Sequence, residues 1–184
     1  MAIPYLDIFQ RVGKEQNLDY LLLAAICSRE SGFGRYLTPP GPGGTGDSGH
    51  GHGLMQIDDR TWGVWLASHD WPDPYTNITK GAQLLVSNMA FFNAPTPVPG
   101  LSDGHLVHCY PHAAQVRGVE PGFYTEPRPV LDSQTRLMMA VASYNTGIGN
   151  VLVSKAVGVN IDWTTAGGNY SQDVFNRMKE LENE

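Results

Sequence analysis

The sequence has only two cysteines, Cys27 and Cys109, and only 16% of its residues are charged. Two cysteines make no disulfide framework of the kind that staples small secreted domains. Cys27 falls inside an apolar helical stretch, where a small buried thiol is expected, and a Cys27–Cys109 bridge cannot be read from sequence alone. No apolar run approaches the roughly 18 residues needed to span a bilayer. The longest, Tyr20 to Cys27, has charge on both sides and reads as a core helix, so no membrane insertion is expected. Basic residues are scarce too: 12 Lys and Arg against 18 Asp and Glu leave a net charge of −6 and no basic stripe. Such a surface cannot neutralise phosphates, which argues against nucleic acid as a partner. HExxH, P-loop and GxGxxG patterns are all missing, so protease and nucleotide readings have no support. The start, Met1 to Gln10, has no basic segment followed by an apolar one. No secretory signal is visible there, and the expectation is a protein secreted after processing or released from the cytosol.

What is present suits one globular domain over 1–184: 41% apolar residues and a length that buries one sizeable core. Residues 4–15 and 18–32 read as helices. In the second, Leu18, Leu21, Leu22, Ala25 and Ile26 recur at helical spacing on one face. Asn17 is expected as the N-cap, Asp19 suits the positive end of the dipole, and Gly32 and Gly34 stop the helix. Residues 37–54 are rich in Gly, Pro and His and predict an irregular loop or short hairpin. A Trp-rich stretch (Trp62, Trp65, Trp71) follows, and 75–92 is helical through Ile78, Leu84, Leu85, Met89 and Phe92. Residues 93–131 hold seven Pro and four Gly with no sustained period, and read as a long insertion forming a flap or binding loop. From Asp132 a helix returns, with Leu137, Met138, Val141 and Tyr144 on one face and its end at Gly147. Helices over about 149–157 and 169–182 complete a mainly α fold with one small irregular or β element.

Three places carry candidate chemistry. Glu30 continues the apolar stripe of Leu22 and Ile26, so its carboxyl should be costly to ionise and able to donate a proton. A buried Glu paired with Arg29 or Arg35 is the plainer reading. Asp47 and Asp58 flank the glycine-dense run Ser48 to Gly53. One proton donor with ionised carboxylates is the equipment for cleaving a glycosidic bond, the inverting form leaving roughly 6.5–9.5 Å for a water; turn formers and caps would use the same residues. Finally, Tyr144 and Asn145 precede a glycine helix terminus, placing a hydroxyl and an amide at a helix end, or simply a core tyrosine and a C-cap.

Ser28-Arg-Glu-Ser31, Gly53-Leu-Met-Gln-Ile-Asp58 and Ser143-Tyr-Asn-Thr-Gly-Ile-Gly-Asn-Val151, in this order, resemble the motifs of goose-type lysozymes (glycoside hydrolase family 23). Asn169-Tyr-Ser-Gln-Asp-Val174 is similar to that family's closing helix. The resemblance covers most of 5–92 and 132–183 and implies the lysozyme-like fold shared with soluble lytic transglycosylases. It also implies that Glu30 is the general acid, that Asp47 and Asp58 position the attacking water, and that Ser31 and Tyr144 hydrogen-bond near the acid. Gln56, Asn145 and Tyr170 match positions lining the sugar cleft, and Leu84 matches an apolar sugar contact. Lytic transglycosylases typically lack the paired aspartates, so the pair favours hydrolysis with inversion over formation of 1,6-anhydro ends.

Departures from the family are a longer loop between Glu30 and Asp47, His50 and His52 in the glycine turn, Trp62 in place of a smaller polar or imidazole group, and the insertion. Within the insertion, His105, His108, Cys109 and His112 lie close in sequence but match no zinc pattern, so a His-rich surface loop is expected and no metal. The expected activity is a muramidase acting on peptidoglycan, with chitin oligomers as second substrate, no cofactor, and a monomeric state. The rival from another class is a non-catalytic sugar-binding protein on a retained fold. The sequence pI near 5.4 contrasts with the basic charge that draws many cell-wall lysozymes to an anionic wall.

Overall fold

The computed structural model describes residues 2–93, 105–109, 122–126, 132–156 and 158–183. The fold is mostly helical with a small three-stranded antiparallel sheet, the α+β lysozyme-like class expected. By contact density the chain forms two compact units, Met1–Val86 with Asp173–Glu184, and Ser87–Gln172. Among the described residues no helix is long and apolar enough to cross a membrane.

In the first unit, α1 (Leu6–Gln16) and α2 (Tyr20–Ser31) pack against each other. Of the three residues between them, two differ from the roles expected. Asn17 takes the left-handed conformation (φ 53°) and caps the end of α1, whereas the Asp19 carboxylate accepts the Leu21 N–H at 2.8 Å and is the true N-cap of α2. Asn tolerates left-handed backbone, and an Asp one residue before the helix reaches its orphan donors, so each residue sits where its side chain is worth most. α2 is the centre of the core, with Leu23 to Cys27 fully buried, and it ends as expected at Gly32 in the left-handed region. The Cys27 thiol is free, buried beside Ser31, and pushed up to about 12 by loss of water, so it is an inert hydrophobe.

The Gly-rich segment folds into β1 (Thr45–Gly46), β2 (Gly51–His52) and β3 (Ile57–Asp58), paired in that order. Two-residue strands are too short to show alternation, and the register here is set by side chains. Gln56, at φ 49°, donates Nε2–H to Gly53 O at 2.8 Å while its Oε1 lies where a Cβ on Gly46 or Gly51 would stand. The Trp-rich stretch is a helix the sequence reading did not mark, α3 (Asp59–Ser68), broken by non-helical backbone at Trp62. α4 (Pro74–Asn93) follows, its first turn capped by Asp73, which accepts from Thr76 N and Oγ1 at 2.8 Å each.

α4 pins the sheet through Asn77, whose side chain is fully buried. It donates to His52 O at 3.1 Å and accepts Met55 N–H at 2.8 Å. Gly53 sits under this amide at φ 71°, and a Cβ there would strike Asn77 Nδ2. Gly53→Ala therefore combines left-handed strain with a clash and is expected to cost about 3 kcal/mol. A urea melt checks this; a loss under about 1 kcal/mol would show that the turn yields.

The second unit holds the end of α4, the hairpin β4 (His105–Cys109) and β5 (Gly122–Glu126), α5 (Ser133–Thr146) and α6 (Ile148–Ala156). The hairpin corrects the reading of 93–131 as lacking regular structure: five-residue strands His-Leu-Val-His-Cys and Gly-Phe-Tyr-Thr-Glu pair antiparallel, too short to reveal a period. The flap expected of the rest of this segment, and His112 of the His-rich run, lie outside the described residues. Asp132 caps α5 by accepting Thr135 N–H at 2.8 Å, and α5 ends at Gly147, both at the expected helix limits. Arg136 donates to Phe92 O at 2.7 Å and Asn88 to Ala140 O at 3.2 Å, tying α5 to the end of α4. The last helix, α7 (Tyr170–Leu181), starts in this unit and continues in the first.

Candidate active site

The Asp47 and Asp58 carboxylates converge on one guanidinium. Arg60 Nη2 donates to Asp47 Oδ2 at 2.7 Å and to Asp58 Oδ2 at 2.6 Å, and its Nε contacts both Asp58 oxygens at 3.0 and 3.1 Å. Local folding makes this meeting. β1, β2 and β3 bring residues 46 and 58 to either side of Gly51. Asp47 follows β1 at φ 47°, a backbone that Asp tolerates better than most residues. Asp58 ends β3 and is the N-cap of α3, accepting Arg60 N–H at 2.8 Å. The caps and turns weighed for these aspartates are therefore real, and they coexist with the pairing.

Charge follows from the geometry. Hydrogen bonding from Arg60 holds the Asp58 carboxyl below the usual carboxylate range, against the opposing pull of partial burial. A depressed pKa means the ionised form persists as pH falls. Removing the guanidinium in Arg60→Ala should bring the Asp58 pKa back up, so any activity needing ionised Asp58 loses its acid side at higher pH than in the parent. Carboxyl-carbon NMR titration checks this; an unmoved Asp58 titration would contradict the pairing. Beside the pair, Asp59 accepts from His50 Nδ1 at 2.9 Å, which lowers its pKa, while His52 Nε2 is 3.6 Å away, beyond hydrogen-bond length. Among the described residues no group of three or more His, Cys, Asp or Glu is arranged to hold a metal ion.

Glu30 lies in the last turn of α2, half-buried, one turn beyond fully buried Ile26. Its neighbour Arg29 pairs with Asp173 at 3.2 Å, and Arg35 donates to Gly32 O at 3.0 Å. Ser31 is fully buried: its hydroxyl donates to Leu54 O at 2.7 Å and accepts Gly34 N–H at 3.0 Å. It thereby fixes the end of α2, and with it Glu30, to the segment that leads into Gln56 and Asp58. Gln56 is half-buried beneath the hairpin glycines, and Leu84 is half-buried on α4, two turns beyond Asn77.

The other expected site residues lie in the second unit and are placed there by themselves. Tyr144 is half-buried on α5. Asn145 is exposed and accepts Ala166 N–H at 2.8 Å. Tyr170 is only 1% exposed, with its N–H donated to Thr165 Oγ1 at 3.2 Å, so its ring presents almost no surface. Three residues of the first unit escaped the sequence reading. Arg60 was signalled only by its spacing of two from Asp58. Asn77 and Lys80 stand at helical spacing with Leu84, which marks a shared face but not its use.

A family model described as Lysozyme g matches residues 2–97, the stretch holding Glu30, Asp47, Gln56, Asp58 and Leu84. Lysozyme g of Casuarius casuarius is 25% identical over 178 residues, covering 95% of this chain and 71% of the relative. Lysozyme g of Epinephelus coioides is 30% identical over 180 residues, with coverage of 95% and 73%. Lysozyme G of Dromaius novaehollandiae is 25% identical over 178 residues, and the chain spans 64% of its length.

Proposed function

This chain belongs to the lysozyme g family, and from that premise we propose that it is a glycoside hydrolase that cleaves the β-1,4 bond between N-acetylmuramic acid and N-acetylglucosamine in bacterial peptidoglycan, with inversion. Glu30 protonates the glycosidic oxygen. Asp58, assisted by Asp47, orients a water on the opposite face of the sugar and takes its proton as the bond breaks. Ser31 positions the acid, and Gln56 and Leu84 belong to the sugar-binding wall. The whole of 1–184 is one catalytic domain that works as a monomer on the cell wall.

One observation carries this reading: two aspartates 11 residues apart in sequence are gathered on Arg60, in the same unit as Glu30. An isolated cap or turn needs one carboxylate; two gathered on one guanidinium suit the orientation of a water. The Arg60 pairing lowers the basicity of Asp58 but keeps it in base form as pH falls. Chitin oligomers share the glycosidic linkage and are the second substrate.

The test is proton NMR of early products from a peptidoglycan oligosaccharide. The α anomer appearing first supports inversion. First appearance of the β anomer would mean double displacement, through the enzyme or the sugar's own N-acetyl group, and would contradict direct attack by a water held on the aspartates.

A further inference from the structure

We infer that Lys80 reads a carboxylate on the substrate, so that the site prefers anionic glycans over uncharged ones. The inference rests on the glycosidase reading above and adds to it a residue that selects among glycans.

Lys80 is on α4, one turn after Asn77 and one turn before Leu84, and is only 8% exposed. Its Nζ lies 3.4 Å from the centre of the Trp62 ring and 5.4 Å from that of Trp65. Among the described residues neither a carboxylate nor a hydrogen-bond acceptor is paired with it. Burial is the cause that lowers its pKa, with no neighbouring charge acting on it.

An ammonium partly withdrawn from water without a counter-ion is costly, and Lys80 Nζ is not among the fully buried unpartnered atoms, so it keeps an opening to solvent. The Trp62 face offsets part of that cost, since a cation over an indole ring is attracted by the ring's quadrupole. The remaining positive charge is uncompensated and held on a rigid platform. Trp62 is one helical turn beyond Asp58, and Asn77, on the face of α4 that Lys80 shares, holds the turn leading into Gln56. Lys80 and the aspartate pair thus belong to the same unit, joined through Trp62 on α3 and Asn77 on α4.

Peptidoglycan offers carboxylates of two kinds, the lactyl group of muramic acid once its peptide is removed, and the free acids of the stem peptide. Chitin oligomers have neither. A single ammonium on a flexible stem serves as a point charge for either source.

The experiment measures dissociation constants by calorimetry in the Glu30→Gln background, where the ligand is not consumed. Two ligands are compared, each with its methyl ester: a peptide-free muramyl oligosaccharide and one bearing stem peptides. The expected result is a preference of about tenfold for a free acid over its ester. Lys80→Met, which keeps the stem's bulk, should abolish the preference, and Lys80→Arg should keep it. Loss confined to the peptide-free ligand assigns the lactyl carboxylate; loss confined to the other assigns the stem peptide. A preference unchanged by Lys80→Met, whether both affinities fall together or neither does, would overturn the inference and leave Lys80 as packing for Trp62. Binding of no oligosaccharide at all would defeat the glycosidase reading itself.

Discussion

Glu30→Gln is expected to lower peptidoglycan turnover by about a thousandfold while oligosaccharide affinity stays within a factor of about two, because the amide keeps the shape of the side chain but has no proton to give. The carboxyl stands at the end of a buried helix face. It extends the stripe of Leu22 and Ile26, which are 4% and 0% exposed, and it lies in the last turn of α2. At that end the helix macrodipole disfavours a further negative charge. Ser31, the next residue, is locked to Leu54 O and Gly34 N, so Glu30 has little freedom to drift. Reducing-end release gives the rate and calorimetry the affinity. A variant retaining a tenth or more of the parent rate would defeat the acid role, whereas parallel loss of binding would show that Glu30 holds sugar rather than donating a proton to it.

Asp162→Ala should destabilise the second unit by about 3 kcal/mol, an effect on folding rather than chemistry. Asp162 is 2% exposed, and its carboxylate accepts from Ser171 N and Ser171 Oγ at 2.8 Å each and from Gln172 N at 3.2 Å. It thus caps α7 from nine residues upstream. Alanine would leave the Ser171 N–H and hydroxyl buried without partners and release the Gln172 N–H, which costs more than an exposed cap. The urea midpoint should fall with no change in slope. A fall under about 1 kcal/mol would mean that water takes over the carboxylate's place.

The contrast between these residues shows what a sequence can disclose. Glu30 was legible because helical periodicity places a residue relative to its neighbours four apart. Asp162 was not, because its partners are set by the fold and share no period with it. The helices of regular stripe, α1, α2, α4 and α5, were readable for the same reason as Glu30. α3 was not: its backbone breaks at Trp62, and Val64 is 88% exposed where an apolar stripe would bury it. Asn17 and Asp19 show a finer limit. Both residue types cap helices, and only backbone conformation tells a C-cap from an N-cap. At the site the two aspartates were nameable from motif resemblance, but Arg60 between them was not, since pairing across three two-residue strands leaves no mark in the sequence. Lys80 is hidden in a similar way: a lysine within an amphipathic helix ordinarily extends into water, and only the fold shows this one laid against Trp62.

Whether water or the sugar itself attacks the bond is decided by the ends left on the glycan. Mass spectrometry of products from purified peptidoglycan, run beside Glu30→Gln, should show reducing N-acetylmuramic ends from the parent and almost no product from the variant. Anhydro ends, lighter by one water, would contradict water activation by Asp47 and Asp58 and make this a lytic transglycosylase with a structural aspartate pair.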